Sequence, residues 1–177
     1  MKKTLVIFLL IIVFLISYLL QTNFFSWFTI AGIKPNVFII LTLCIGLFAG
    51  KTSGSMLGIL FGLLIDLFIG KNIGISGILL GIVGFIGGYL DKDFSKDSKI
   101  TIILMCVGVT CFYEVVDYFI LSAIYKMDME LIPLIKIILV ECLYNAILII
   151  IFYPIIQRCG YKIEQIFKGS NILTRYF

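Results

Sequence analysis

Histidine is absent from this sequence. Because histidine is the commonest general base and the commonest metal ligand, its absence excludes a Ser-His-Asp triad and the H-E-x-x-H metalloprotease motif. Charge is also scarce, at 14% of the 177 residues. We therefore expect no catalytic residues, no metal site, no cofactor and no nucleic-acid partner, and we predict that the protein is not an enzyme.

Apolar surface is what the sequence has in abundance. Hydrophobic residues make up 62% of the chain, whereas a soluble domain typically has about 45–50%. One small soluble core cannot hide that much apolar surface, but a lipid bilayer can. The breaks between apolar runs are all too short to hold a soluble domain. We predict an all-α integral membrane protein with a single transmembrane domain over residues 1–177.

Apolar runs separated by short polar breaks predict a six-helix transmembrane bundle, with a five-span bundle as the alternative. A spanning helix needs about 20 residues, so the second and third runs are short. The apolar segment Phe24–Ile33 contains Trp27 and is expected at the membrane interface, where it can extend the second span. The first run is expected to remain as an uncleaved helix. The predicted spans are approximately 4–20, 35–49, 54–69, 73–90, 100–125 and 134–156, followed by a basic tail at 157–177.

The distribution of lysine and arginine predicts the orientation of the bundle. The side richer in basic residues faces the cytoplasm, so both termini and the tail are predicted to be cytoplasmic, with the protein in the inner membrane. Basic residues of the tail are expected to contact anionic lipid headgroups. Ten basic residues fall on the predicted inner side (Lys2, Lys3, Lys51, Lys92, Lys96, Lys99, Arg158, Lys162, Lys168 and Arg175) and four on the outer side (Lys34, Lys71, Lys126 and Lys136).

Glycines form stripes along the third and fourth spans. In the third span they recur every four residues, and in the fourth the steps are three and four residues. Small residues at these spacings let two helix backbones approach closely. We predict that these spans form a tight antiparallel pair joined at residues 70–72; a groove for a partner helix is the alternative. The predicted packing glycines are Gly54, Gly58, Gly62, Gly74, Gly77, Gly81, Gly84 and Gly88.

Four acidic residues lie within the predicted spans, although each charge costs about 2.5–3.5 kcal/mol at the bilayer centre. Asp66 takes the next place in the glycine stripe and should face another helix. Glu114 and Asp117 share one helix face, and Glu141 and Asn145 share another. All four acids lie in the outer half of the predicted spans. These five residues predict a polar patch, open to the outside, that binds a partner or a ligand.

Internal pairing is the competing interpretation of these acids. They can be protonated, or paired with lysine and tyrosine of the same chain. Lys136 is the nearest candidate counter-ion, with Lys71 and Lys126 at the rim of the patch. A proton relay is disfavoured because the acids do not extend across the full membrane thickness.

Three motifs in a fixed order resemble a known family. Leu20-Gln21 follows the first span, Pro35-Asn36 opens the second, and "GLLIDLFIG" forms the core of the third. Over residues 20–90 the sequence resembles the bacterial rod shape-determining MreD family, and the chain length and the lysine-rich loop also fit. The positions that match the family motifs are Gln21, Pro35, Asn36, Asp66, Gly70 and Gly74.

The resemblance implies a non-enzymatic membrane scaffold of the cell-elongation machinery that controls cell shape. Such proteins work with MreC, a membrane-anchored periplasmic partner. Together they link an actin-like filament to the glycosyltransferase and transpeptidase that build lateral-wall peptidoglycan. The expected partners are therefore an MreC-type protein, the elongation complex, the filament indirectly, and membrane lipids.

The predicted bundle is also similar to the substrate-binding subunits of energy-coupling-factor vitamin transporters. Those subunits are six-helix proteins with an outward-facing site, and they supply the alternative function. They commonly dock their ATPase module through small residues on the first helix. Thr4–Leu20 contains no alanine and no glycine, which speaks against this alternative.

Overall fold

A computed structural model describes residues 2–69, 72–91 and 98–167 of the chain. These residues form six helices, so the predicted all-α class is confirmed. The first helix, α1, contains a π-helical turn, Leu20–Phe24, and ends at Trp27. The helices are α1 (Lys2–Leu19, continued by Leu20–Phe24 and Phe25–Trp27), α2 (Val37–Ala49), α3 (Lys51–Ile69), α4 (Ile75–Leu90), α5 (Lys99–Tyr125) and α6 (Leu131–Phe167).

Four of these helices are long and apolar enough to cross a membrane: α1, α3, α5 and α6. The other two, α2 and α4, have 13 and 16 residues. At 1.5 Å per residue they rise only about 20 Å and 24 Å, less than the roughly 30 Å of a hydrocarbon core. The fold is therefore that of a helical membrane protein with four candidate spans, and the six-span count stays a prediction.

The short helix α2 lies at the centre of the bundle. It contacts all five other helices, which surround it in the order α1, α3, α4, α5, α6. Its sequence, "VFIILTLCIGLFA", is apolar all round, and ten of its 13 residues are buried. A helix that is hydrophobic on every face belongs in an interior. Because protein surrounds α2, its short length leaves no backbone facing lipid.

The glycine stripes bring α3 and α4 into backbone contact. A methyl group added at Gly58 would meet the carbonyl of Leu80, and one added at Gly84 would meet the carbonyl of Gly54. At Gly54 it would also meet the Cα of Gly46 in α2, at 2.5 Å. The predicted tight antiparallel pair is confirmed. Gly62 and Gly88 likewise face backbone, whereas Gly77 and Gly81 pack against side chains of α3.

Gly74 has a different role from the packing role that its spacing predicted. It precedes α4 with a φ of +103°, in the left-handed region, and a Cβ there would meet nothing within 4 Å. Glycine adopts this conformation without the steric strain that other residues incur. The turn into α4, and not helix packing, is therefore the reason for a glycine at position 74.

Several boundaries differ from the predicted spans. The segment Phe25–Trp27 ends α1 and does not extend α2, and Trp27 is 88% exposed. The second and third spans were predicted to be short, but the two short helices are α2 and α4. The last helix continues to Phe167, because Gly160 gives room for the ring of Phe48 and the Tyr161 ring packs beside it. Residues 157–167 of the predicted tail are thus helical, while residues 70, 71, 92–97 and 168–177 lie outside the described part.

Candidate functional site

Asp66 accepts a hydrogen bond from the backbone of its own chain. Toward one end of the bundle, which we call the site end, α1, α3 and α5 end and α2, α4 and α6 begin, with the start of α2 set back beside Asn145 of α6. There Asp66, 6% exposed, accepts a hydrogen bond from the Gly74 N–H at 2.7 Å. A carboxylate at a helix start is stabilised by the unpaired N–H groups and by the helix dipole. Asp66 thus holds the end of α3 to the start of α4.

The other acids lie on α5 and α6. Glu114 and Asp117 are half-buried, and Asp117 is close enough to Asp66 for their charges to repel. The side chains of Glu114 and Glu141 are within hydrogen-bonding reach of each other. The structure therefore brings four predicted site residues together in one line from α3 across α5 to α6. We call Asp66, Asp117, Glu114 and Glu141 the acidic row.

The acidic row has no basic partner among the described residues. Two carboxylates cannot hydrogen bond to each other without a proton, and no other described group donates to Oε1 of Glu141, which is 5% exposed. Lys126 and Lys136 are exposed, and neither forms an ion pair within the described part of the chain. Lys71 lies outside that part. Unpaired charge at such a buried position is costly, so the row favours a proton or an external cation.

Metal binding is not the use that this geometry favours. Across residues 2–69, 72–91 and 98–167, no three histidine, cysteine or acidic side chains are arranged to hold a metal ion. A basic side chain needs only one or two carboxylates to pair with. Carboxylates in this arrangement are chemically suited to pairing with a basic group.

Asn145 lies one helical turn from Glu141 of the acidic row, and its hydrogen bonds are made in the interior of the bundle. It is fully buried; its Nδ2 donates to Thr110 Oγ1 at 3.1 Å, and its Oδ1 accepts from the Asn36 N–H at 3.1 Å. The next N–H along the chain, that of Val37, donates to Gln21 Oε1 at 2.9 Å. Helix starts leave N–H groups without intrahelical partners, and these two amide side chains satisfy the start of α2.

Sequence reasoning flagged Gln21 and Asn36 only through the family resemblance and assigned them no roles. The signal that identifies the role of Gln21 is a helix that must start inside the bundle, at Pro35-Asn36. A buried helix start needs polar partners from elsewhere in the chain. A glutamine at the end of the preceding helix is the nearest candidate.

A cavity of about 180 Å³ also lies at the site end. It is bounded by α1, α3, α4 and the start of α2, and its polar lining includes Gln21, Lys34, Asn36 and Ser76. Tyr113 of α5 borders both the cavity and the acidic row, and its hydroxyl hydrogen bonds with Ser76. The sequence did not predict this cavity, because its lining comes from five elements spread between residues 18 and 113.

Apolar helices around a buried polar cluster define this chain as a helical membrane protein. Residues 1–159 match the family described as rod shape-determining protein MreD, and the chain belongs to that family. The family predicted from the three motifs is confirmed. No curated protein and no solved structure matches the chain. Membership implies a role in rod-shape determination, and the family is not a known enzyme family.

Proposed function

We propose that this protein is a non-enzymatic scaffold of the rod-elongation machinery in the cytoplasmic membrane. It binds an MreC-type partner and, through it, the enzymes of lateral-wall peptidoglycan synthesis and, indirectly, the actin-like filament. The family supplies the role in rod shape. The observation that carries the binding role is the acidic row, which has no basic partner within the described residues.

Energetic cost is the reason to connect the acidic row with binding. Each charge in a membrane interior costs about 2.5–3.5 kcal/mol, so unneutralised acids are rarely kept without a use. A partner lysine or arginine that reaches the row relieves this cost and gains charge-assisted hydrogen bonds. Glu114 and Asp117 are only half-buried, so they are the members of the row that a partner side chain can reach first.

The proposed orientation places the row on the periplasmic side. The excess of basic residues on the opposite side supports it, since ten of the 14 lysines and arginines fall there. All six helices cross the membrane in this arrangement. The short helix α2 is surrounded by its longer neighbours, whereas α4 lies in the outer ring, with Ile78 and Phe85 exposed. A membrane-anchored periplasmic partner then meets the row near the outer surface.

Co-purification tests the binding role. The double variant Glu114→Gln, Asp117→Asn keeps the shape of both side chains and removes their charge. We expect it to retain at most about a tenth of the wild-type MreC-type partner, the effect of losing one charge-assisted pair of about 1.5–3 kcal/mol. Asp128→Asn, an exposed acid in the α5–α6 connection, is the control and should retain the partner fully.

A stable double variant that still recovers the partner at wild-type level contradicts the proposal. Depletion in the host bacterium tests the wider role independently of this surface. Rounded cells support shape control. Rods of normal shape that need an added vitamin would instead support the substrate-binding transporter subunit.

A further inference from the structure

The cavity offers hydrogen-bond donors that the chain itself does not use. The Gln21 amide is fixed in orientation because its Oε1 accepts from the Val37 N–H, so its Nε2 remains a donor. Within the described part of the chain, no group accepts a hydrogen bond from Gln21 Nε2, from the Asn36 amide or from Lys34 Nζ. All three side chains line the cavity. A site with several unused donors suits a ligand that is rich in acceptors.

The charge of the lining also favours an anion. Lys34 carries the only formal charge among the described residues that line the cavity. The N-terminal ends of α2 and α4 point their positive dipole ends toward this part of the bundle. Asp66, near the cavity, accepts a hydrogen bond from the N–H at the start of α4, and Tyr113 borders the other three acids. Lys34 and the start of α2 therefore supply the positive field inside the cavity.

The remaining walls are apolar. Phe38, Ile65 and Leu80 are buried parts of the lining, whereas Ile69 is 53% exposed. Next to Ile69 in the sequence, Phe68 is also exposed. The volume of about 180 Å³ corresponds to roughly six water molecules in the liquid. That is room for a phosphate and a small polar group, with an exposed apolar surface beside it.

We propose that this cavity is a binding site for a phosphate group. A phosphate presents several acceptor oxygens and a negative charge to Lys34, Gln21 and Asn36. It can belong to the phosphodiester headgroup of a phospholipid, whose acyl chains lie against the apolar surface at Phe68 and Ile69, or to free phosphate. The proposal is independent of the scaffold function and of the acidic row.

Native mass spectrometry of the full chain in a neutral detergent tests the ligand class. The probes are short-chain dihexanoyl phosphatidylglycerol, inorganic phosphate and dihexanoylglycerol, which has the same acyl chains without phosphate. We expect one equivalent of a phosphate-bearing probe to bind and dihexanoylglycerol not to bind. If only the phosphatidylglycerol binds, the phosphate belongs to a lipid headgroup. If only inorganic phosphate binds, the ligand is the free ion. Binding of neither, or equal binding of dihexanoylglycerol, overturns the proposal.

Two variants test the location. Lys34→Gln removes the charge of an exposed residue, and Gln21→Glu keeps the oxygen that accepts from the Val37 N–H while replacing the donor. Each should weaken binding by at least about tenfold, the effect of one charge-assisted hydrogen bond. Lys126→Gln, at the same end but outside the lining, should bind like the wild type. If Gln21→Glu does not fold, the affinity of Lys34→Gln for the probe decides whether the cavity is the binding site. A Lys34→Gln variant that binds the probe with wild-type affinity overturns this location.

Discussion

Gly58 is the position at which added bulk should harm the bundle most clearly. A Cβ there would lie 2.7 Å from the carbonyl carbon of Leu80 and 2.8 Å from Thr42 Cγ2, well inside ordinary van der Waals contact. The first obstacle is the backbone of α4, which cannot move aside by a rotamer change. Gly58→Ala must therefore push α3 away from α4 and from the central helix α2. Overpacking of this kind costs about 1–3 kcal/mol.

Gly108 supplies a matched control. It lies within α5, and a Cβ there would meet nothing within 4 Å. Gly→Ala within a helix interior gains roughly 1 kcal/mol of helix propensity at either position. Because this gain is shared, the difference between the two variants isolates the overpacking cost. We expect Gly58→Ala to be less stable than Gly108→Ala by about 1–3 kcal/mol.

Reversible unfolding of the purified protein in mixed micelles of sodium dodecyl sulfate and dodecyl maltoside measures both free energies. Gly108→Ala should unfold at the wild-type detergent fraction or above it. A Gly58→Ala variant at least as stable as the wild type would refute the reasoning, because it would mean that α3 and α4 do not approach at Gly58. Comparable losses in both would show instead that alanine is harmful throughout these helices.

Three further variants test the polar contacts at the site end by the same unfolding measurement. Asp66→Ala removes the acceptor for the Gly74 N–H and should cost about 1–2 kcal/mol; an unchanged stability would contradict the capping role. Gly74→Ala forces a Cβ into the left-handed region and should cost about 1–2 kcal/mol; a stabilised protein would rule out the positive φ. Gln21→Ala leaves the Val37 N–H without its acceptor and should cost about 1–3 kcal/mol, whereas no loss would show that water replaces the amide.

Local spacing was enough to predict the contact between α3 and α4. The glycines at 54, 58 and 62 define one side of α3, and the same four-residue step carries that side on to Asp66. A residue in such a stripe faces the neighbouring helix whatever its side chain is. Asp66 accordingly points at the start of α4. The sequence could not name its partner, because that partner is a backbone N–H in the connection and not a side chain.

Contacts between distant parts of the chain were beyond prediction for a different reason. Asn145 binds Asn36 across 109 residues, and nothing in the local pattern of either segment specifies the other. The central place of α2 is similar. Its uniform apolar sequence is equally suited to a lipid-facing span and to a buried helix, and only the arrangement of its neighbours decides between them. The predicted length failed at α3, because the helix begins with the polar residues Lys51, Thr52 and Ser53, which an apolar run does not include.

The short central helix explains why this end of the bundle holds both a cavity and two amide side chains that hydrogen bond to the start of α2. Because α2 begins only at Val37, the surrounding helices extend past its start and leave a space above it. The N–H groups at this interior helix start then need acceptors, which Gln21 and Asn145 supply, and these side chains bring polar groups into the interior. Three members of the acidic row lie near Tyr113, where α5 packs against α6, and Asp66 at the end of α3 completes it; two of the four are half-buried. The cavity and the acidic row are therefore two distinct features of the site end, and Tyr113 borders both.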